Sequence, residues 1–181
     1  HEDPRRQRQM CIRDRVRGYL TGVTSTSAWT AYQNGDRNFC GNELPDGMRK
    51  NEAFPEPIIT PSTKAAQGEH DESVAPSELY KRGVVDPGLY KELARISMKL
   101  YERGVARAAD HGMIFVDTKY EFGISNGKIM LMDEVNTPDS SRYWIKDDYE
   151  SRFEKGEEPR KLDKEYVLSL IHISEPTRHR L

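Results

Sequence analysis

Residues 115–144 read FVDTKYEFGISNGKIMLMDEVNTPDSSRYW and contain two candidate strands with a turn between them. Two segments rich in strand-forming residues, 114–122 and 128–135, flank residues 125–127, whose Ser-Asn-Gly sequence is typical of a hairpin turn. Residues 129–132 are continuously apolar, so we predict that the second strand is buried on both of its faces.

The first of these strands carries charge on one face. Asp117, Lys119 and Glu121 occupy every second position, and alternate side chains of a strand point to the same side. A solvent-facing strand with alternating charge would show the same spacing, so the spacing alone leaves that interpretation open. The second strand ends in Asp133 and Glu134, and carboxylates there, beside Glu121, suit a hard cation such as Mg²⁺ that also takes nucleotide phosphates.

The loop of the hairpin decides whether these acidic residues can meet. A two-residue turn pairs Asp133 with Tyr120, which lies on the wrong face for a shared metal. A three-residue loop over residues 125–127 pairs Asp133 with Lys119 instead. A metal held by Glu121 and Asp133 therefore requires the three-residue loop or another odd offset.

The clearest helix lies upstream of the hairpin. Asp86 is a suitable N-cap, Pro87 suits the first helical position and Gly112 suits the end. Gly104 predicts close packing against a neighbour, because it has no side chain. Apolar residues recur at helical spacing, which indicates a core face: Leu89, Leu93, Ile96, Leu100 and Ala108. A helix followed by a hairpin, after extended segments, favours an α+β or α/β domain.

Composition excludes several classes of function. The 181 residues include 28 basic and 30 acidic side chains, which gives no reason to expect a nucleic-acid or membrane-surface partner. No apolar run has transmembrane length, and the N-terminal region has no signal-peptide pattern. Cys11 and Cys40 have neither metal-ligand spacing nor the density of a disulfide scaffold. A cytoplasmic location is the expectation.

Several strings together resemble those of the SAICAR synthetase family. They are VRGYLTG (16–22), TPSTK (60–64), EHDE (69–72), FVDTKYEFG (115–123) and DEVNTPDSSRYW (133–144). They follow in the family's order over roughly residues 16–167, and the last two are the most specific. The resemblance implies an α+β fold. The chain would form a SAICAR synthetase-like catalytic domain, kinase-like and ATP-binding, that lacks the N-terminal lobe and the C-terminal end.

The resemblance implies an ATP-dependent ligase of de novo purine biosynthesis. ATP would phosphorylate the carboxylate of carboxyaminoimidazole ribotide (CAIR), and L-aspartate would attack the acyl phosphate to give SAICAR, ADP and phosphate. ATP and Mg²⁺ are the implied cofactors. Because the lobe that covers the ATP phosphates is absent from the pattern, and no P-loop string replaces it, we expect this chain to be inactive on its own.

The resemblance also implies roles for single residues. Asp117 and Lys119 would line the substrate carboxylate and the transferring phosphoryl group, while Glu121 and Asp133 would hold Mg²⁺. The other implied substrate-binding residues are Arg17, Ser25, Lys64, His70, Asp71, Ser140, Ser141 and Arg142, of which the two arginines would hold the CAIR phosphate.

For two of these implied contacts the residues themselves allow another interpretation. His70 could equally order its own loop. The family's pattern continues with Ser after YLTG, where this chain has Val23, so a neighbouring hydroxyl would have to replace that contact. Thr24, Ser25 and Ser27 are the candidates.

Both ends of the chain differ in character from the rest. Residues 1–15 carry five arginines without apolar periodicity, and residues 168–181 read LSLIHISEPTRHRL. Both resemble translated sequencing-adaptor sequence, although a natural basic arm and a natural tail are the alternative. We expect a partial catalytic domain over residues 16–167, and we expect residues 1–14 and 169–181 to pack little against it.

Two other functions stay open. Another ATP-dependent phosphotransferase on a kinase-like scaffold would also pair an Asp-x-Lys string with a later metal-binding Asp. The Asp-Phe-Gly string of protein kinases is replaced here by Asp-Glu-Val at residues 133–135. A non-catalytic anion-binding module would need Arg17 and Arg142 but not Glu121 or Asp133.

Overall fold

Six antiparallel strands form the main sheet of the computed structural model, which describes residues 12–63, 72–125 and 128–162. In chain order the elements are β1 (Ile12–Tyr19), α1 (Ala28–Gln33), β2 (Asn38–Phe39), β3 (Asn42–Glu43), β4 (Ala53–Thr63), β5 (Glu72–Ser73), α2 (Pro76–Lys81), α3 (Pro87–Ala109), β6 (Met113–Ser125), β7 (Lys128–Met132), β8 (Ser141–Ile145) and α4 (Tyr149–Lys155). The α+β class predicted from the sequence is confirmed. None of the described helices is both long enough and apolar enough to cross a membrane.

Strand β6 lies inside the sheet. The strand order is β5-β4-β1-β6-β7. Along the edge of β6 that faces away from β1, β8 pairs with the first half of β6 and β7 pairs with the second half. Each of these pairings is antiparallel. The charged segment of β6 therefore has backbone neighbours on both sides, which fixes its side chains relative to those of β1 and β8.

Helix α3 covers one face of this sheet and begins where the sequence predicts. The Asp86 carboxylate accepts hydrogen bonds from the backbone N–H groups of Gly88 and Leu89, at 2.8 and 3.3 Å, and Pro87 is the first helical residue. Just after the helix, Gly112 adopts a left-handed conformation with φ +68°. This is the conformation that favours glycine after a helix.

The buried stripe of α3 differs from the predicted one. The predicted Leu93 and Ala108 are buried, but Leu89, Ile96 and Leu100 are only half-buried. The residues buried along the helix are Tyr90, Leu93, Ser97, Tyr101, Gly104 and Ala108. Tyr101 can be buried because its hydroxyl donates to the Phe115 carbonyl at 2.8 Å, which satisfies the polar atom.

Gly104 lies at a close contact between α3 and the sheet. A Cβ atom at this position would lie 2.5 Å from Cε1 of Phe115. The close packing predicted from this glycine is therefore confirmed.

The β6–β7 hairpin contradicts two predictions. Ser125 pairs with Lys128 and Glu121 with Met132, so two residues separate the strands and the predicted three-residue loop is wrong. The predicted burial of β7 on both faces is also wrong, because Met130 and Leu131 are 52% and 39% exposed. In the described part of the chain β7 pairs with β6 alone, so it is an edge strand.

Strand β1 begins upstream of residue 16, where the predicted catalytic domain starts. Its first residue is Ile12, and both Ile12 and Asp14 are buried. The expectation that residues 1–14 pack little is therefore wrong for these two residues. Alternate side chains of the strand face α3 upstream of Val16 as well, and the polar Asp14 at one of these positions hides that pattern in the sequence. Residues 1–11 and 163–181 lie outside the described residues, so the non-native origin proposed for the ends stays a prediction.

Candidate active site

A bulge in β6 aims its charged residues at one side of the sheet. The register between β6 and β8 shifts between Phe115 and Asp117. Phe115 packs in the core with α3, as do Tyr120 and Phe122. Bulges of this kind re-aim side chains and are common beside active sites. Asp117 and Lys119 lie on the opposite face, together with Glu121.

Strand β1 presents a matching row of arginines to this charged row. The cross-strand pairs are Arg13 with Glu121, Arg15 with Lys119, and Arg17 with Asp117. The middle pair places two cations directly opposite each other, an arrangement that destabilises an antiparallel sheet unless an anion lies near.

Asp117 is the buried centre of a cluster of guanidinium groups. Its Oδ1 accepts a hydrogen bond from Arg142 Nε at 2.8 Å, and its Oδ2 contacts Arg142 Nη2. Nη1 atoms of Arg15 and Arg17 each lie 3.5 Å from Oδ2. Burial alone would raise the pKa of Asp117, but the hydrogen bonds from Arg142 and the charges of all three arginines hold it below its usual range. The carboxylate is therefore ionised and fixes the arginines.

Arg17 is held more tightly than a surface arginine. It is 5% exposed, and its Nε donates to Thr60 Oγ1 at 3.0 Å. Its guanidinium carbon lies 5.7 Å from the centroid of the Phe39 ring. Burial lowers the pKa of Arg17 to about 10, partly opposed by Asp117, so the side chain remains a cation at neutral pH.

A cavity of about 310 Å³ opens above these arginines. Its lining residues are Arg15, Arg17, Gly22, Val23, Thr24, Thr26, Ser27, Ser62, Ser73, Lys119 and Arg142. Four of these side chains are cationic, several carry hydroxyls and none is a carboxylate. Arginine forks and hydroxyls are the groups that bind phosphate or carboxylate, so the cavity suits an anion.

The acidic residues converge beside this cavity. Lys119 Nζ lies 2.9 Å from Glu121 Oε1 and 3.9 Å from Asp133 Oδ2, so the two carboxylates face a single ammonium group. The register of the two-residue turn would point Asp133 to the other face. Asp133, however, follows the end of β7 in a left-handed conformation with φ +63°. This change of backbone direction brings its carboxylate to Lys119 despite the register.

The donor set here fits a magnesium ion that also binds nucleotide phosphates. Mg²⁺ commonly takes one or two carboxylates from the protein and its other oxygens from phosphates and water. Glu121 and Asp133 could supply two carboxylates. Within residues 12–63, 72–125 and 128–162, no group of three or more His, Cys, Asp or Glu side chains is arranged to hold a metal. A metal at Glu121 and Asp133 would therefore take its other ligands from phosphates and water.

The other predicted site residues are more dispersed. Ser141 Oγ donates to Thr118 Oγ1 at 2.8 Å, and Ser140 Oγ donates to the Thr137 carbonyl at 3.3 Å. Neither residue is among those that line the cavity. Ser25 does not line it either, whereas Thr24 and Ser27 do. The remaining candidates, Lys64, His70 and Asp71, lie outside the described residues.

Sequence reasoning missed Arg13 and Arg15. Together with Arg17 they occupy every second position of β1, a period-two pattern that predicts one face of a strand. The sequence contains this pattern, but the five arginines of residues 1–15, without apolar periodicity, favour a tail over a strand.

Comparisons with known proteins agree on one family. The model of the family described as SAICAR synthetase matches residues 10–178. The phosphoribosylaminoimidazole-succinocarboxamide synthase of Bacteroides thetaiotaomicron is 55% identical over 152 residues, which are 84% of this chain and 47% of that protein. The chain thus spans about half the length of the curated relatives it matches.

Solved structures show the same similarity. The SAICAR synthase of Saccharomyces cerevisiae, complexed with SAICAR, matches with a TM-score of 0.71 and 35% identity, over 93% of this chain and 51% of that one. A SAICAR synthetase in complex with ADP matches with a TM-score of 0.60 and 25% identity, over 87% of this chain and 55% of that one.

Proposed function

The chain belongs to the SAICAR synthetase family, and we propose that it is part of an ATP-dependent ligase that joins L-aspartate to CAIR. The observation that carries the proposal is the cationic cavity above Asp117, with two carboxylates beside it. CAIR carries both a phosphate and the carboxylate to be activated, so its binding needs several fixed cations.

Arg17 and Arg142 are proposed to hold the anionic groups of CAIR. Both line the cavity, and both are oriented by the carboxylate of Asp117 before any ligand arrives. A guanidinium that is already fixed loses little side-chain entropy on binding, which strengthens the interaction. Thr24 and Ser27 offer hydroxyls on the same wall and would replace the contact that Val23 cannot make.

We propose a different role for Asp117 from the one that the resemblance implies. Its carboxylate is 1% exposed, is engaged with three guanidinium groups and does not line the cavity. It would therefore act as a positioning residue that orients the arginines, rather than as a group that touches the substrate carboxylate.

Lys119 occupies the boundary between the anion cavity and the two carboxylates. It lines the cavity and also contacts Glu121 and Asp133. An ammonium here would stabilise the negative charge of a phosphoryl group as it moves to the substrate carboxylate. Mg²⁺ held by Glu121 and Asp133 would supply further charge neutralisation for the nucleotide phosphates.

The relatives support this assignment of ligands. The yeast structure carries SAICAR and another relative carries ADP, both of them phosphate-containing molecules. The convergence of Glu121 and Asp133 on Lys119 favours a catalytic site over a module that only binds anions, because such a module would not need them. The inactivity expected for this chain on its own stays a prediction.

Isothermal titration of the 181-residue chain with SAICAR tests the proposal. Arg142→Gln should weaken SAICAR binding about tenfold or more, because a charge-assisted, forked contact contributes roughly 1.5–3 kcal/mol. Arg152→Gln is the matched control, since Arg152 lies on α4 and pairs with Asp148 at 2.7 Å. Equal affinity in the parent and in Arg142→Gln, with both proteins folded by circular dichroism, would reject the cavity as the SAICAR site.

A further inference from the structure

One wall of the anion cavity is a loop, residues 22–27, that lies between β1 and α1. The cavity is lined by Gly22, Val23, Thr24, Thr26 and Ser27 of this loop. The far end of the loop is fixed by α1, because Ser27 is the N-cap of that helix and its hydroxyl accepts a hydrogen bond from the Thr30 backbone N–H at 3.3 Å. The near end, at residues 20–21, lies outside the described helices and strands and is held by Asn51.

Asn51 holds the near end of the loop through its backbone and through its side chain. The Asn51 backbone N–H donates to the Leu20 carbonyl at 2.7 Å, and Thr21 Oγ1 donates to Asn51 Oδ1 at 2.6 Å. Thr21 and Asn51 are buried, with 6% and 4% of their surface exposed. Loss of the hydroxyl would leave the buried Oδ1 of Asn51 without its donor, which makes this contact expensive to break.

Asn51 itself is fixed from a third direction, by residues of α4 and the segment after it. Tyr149 OH donates to the Asn51 carbonyl at 2.7 Å, and Asn51 Nδ2 donates to Glu158 Oε2 at 3.3 Å. The other oxygen of Glu158 pairs with Lys50, which lowers the pKa of Glu158 and keeps this acceptor ionised. Asn51 also adopts a left-handed conformation with φ +67°, which asparagine tolerates better than most residues. Its two backbone and two side-chain polar atoms therefore all make hydrogen bonds.

We infer that Asn51 is a positioning residue for SAICAR, because it holds the loop of residues 22–27 in the shape that forms the cavity wall. The inference rests on the proposed function, which places SAICAR in this cavity. A loop that is ordered before the ligand arrives does not have to be ordered on binding, so less entropy is lost and the affinity is higher. Asn51 does not line the cavity, so it acts through Thr21 and not by touching the ligand.

Isothermal titration of the 181-residue chain with SAICAR tests the inference without any activity assay. Thr21→Val removes the hydroxyl but keeps the shape of the side chain, and it should weaken SAICAR binding about three- to tenfold. Thr21→Ser keeps the hydroxyl and should stay near the parent. Tyr120→Phe is the matched control, because it also removes a hydroxyl that donates to an asparagine Oδ1, that of Asn136 at 2.7 Å, on the face of the sheet that packs with α3. This control should lower stability and leave the affinity for SAICAR unchanged.

A second substitution tests whether Thr21 acts through Asn51. Asn51→Gly allows the left-handed backbone and removes the side chain, so it should weaken SAICAR binding as much as Thr21→Val does. In the double variant the two losses should not add, because both substitutions remove the same contact. Losses that add would overturn the inference, since Thr21 would then act independently of Asn51. If Asn51→Gly does not fold, the difference between Thr21→Val and Thr21→Ser decides the question.

The remaining results separate this inference from the proposed function. If Thr21→Val leaves the affinity unchanged while Arg142→Gln weakens it, the inference fails and the cavity remains the SAICAR site. If neither substitution alters SAICAR binding, both the inference and the proposed site are wrong. If Tyr120→Phe weakens binding as much as Thr21→Val does, the effect follows from a general loss of stability, and Asn51 has no positioning role.

Discussion

Asp14 is a buried carboxylate in the core of the sheet, and its replacement by Asn should make the protein more stable relative to the parent as the pH rises. It lies on β1 between Ile12 and Val16, has no exposed surface and accepts a hydrogen bond from Ser97 Oγ at 3.2 Å. No ion pair reaches it from the residues whose positions are described. Burial raises the pKa of Asp14 from 3.8 to about 6, only partly offset by its hydrogen bonds.

The sign of this shift determines how stability changes with pH. The folded state favours the neutral acid, so the contribution of Asp14 to stability is fully present below pH 3.8 and is lost as the pH rises through about 6. A difference of roughly two pKa units corresponds to about 3 kcal/mol once the pH is above both values.

Asp14→Asn removes the charge at every pH. The free energy of unfolding of the variant, minus that of the parent, should therefore rise by about 2–3 kcal/mol between pH 4 and pH 7.5. The cost of burying the amide is the same at both pH values and cancels in this comparison. Urea unfolding, followed by tryptophan fluorescence, gives both free energies.

The comparison between variant and parent also isolates Asp14 from other carboxylates. Asp117 has a lowered pKa, so its contribution changes with pH in the opposite direction, but equally in both proteins. Asp46→Asn is the control, because the Asp46 side chain is 89% exposed and should give no such rise. A difference between Asp14→Asn and the parent that stays constant from pH 4 to pH 7.5 would refute the reasoning.

Three further substitutions have expected results. Asp117→Asn leaves three guanidinium groups without their anion, so the free energy of unfolding at pH 7, measured by urea unfolding, should fall by about 3–5 kcal/mol. A loss below about 1 kcal/mol would contradict the central position of Asp117. Val23→Ser adds a hydroxyl to the cavity at a position where the side chain is 82% exposed. The affinity for SAICAR, measured by titration calorimetry, should rise about two- to fivefold, and an unchanged affinity would exclude a contact between residue 23 and SAICAR. Gly104→Ala should lower the free energy of unfolding by about 1–3 kcal/mol, because the new Cβ atom would lie 2.5 Å from Cε1 of Phe115. A variant more stable than the parent would show that this contact relaxes easily.

The parts of the fold that were predictable from the sequence are those that local residues determine. Asp86 and Pro87 fix the start of α3, and Gly112 allows its end, because capping depends on neighbours within one turn. The common face of Asp117 and Glu121 follows in the same way from the alternation of side chains along one strand.

The hairpin could not be predicted so directly. The Ser-Asn-Gly tripeptide is compatible with two loop lengths, and each sets a different register. The sequence offered no sign that Asp133 would adopt a left-handed conformation, which few non-glycine residues do. The side chains of Asp133 and Lys119 therefore meet although the predicted loop length is wrong.

The role of Asp117 depends on strand order, which is not a local property. Arg15 and Arg17 come from β1 and Arg142 comes from β8, and they meet only because these strands flank β6 on opposite sides. Sequence spacing predicts that Asp117 is charged and on one face. It cannot show that three arginines from distant segments surround it.

The proposed binding site for SAICAR consists of the guanidinium groups that Asp117 fixes. The most direct test is nitrogen-15 NMR of the arginine side chains in the 181-residue chain, titrated with SAICAR. The Nε signals of Arg17 and Arg142 should shift in proportion to occupancy, while that of Arg95, on the exposed side of α3, should not. Binding of SAICAR that leaves both Arg17 and Arg142 signals unchanged would contradict the claim.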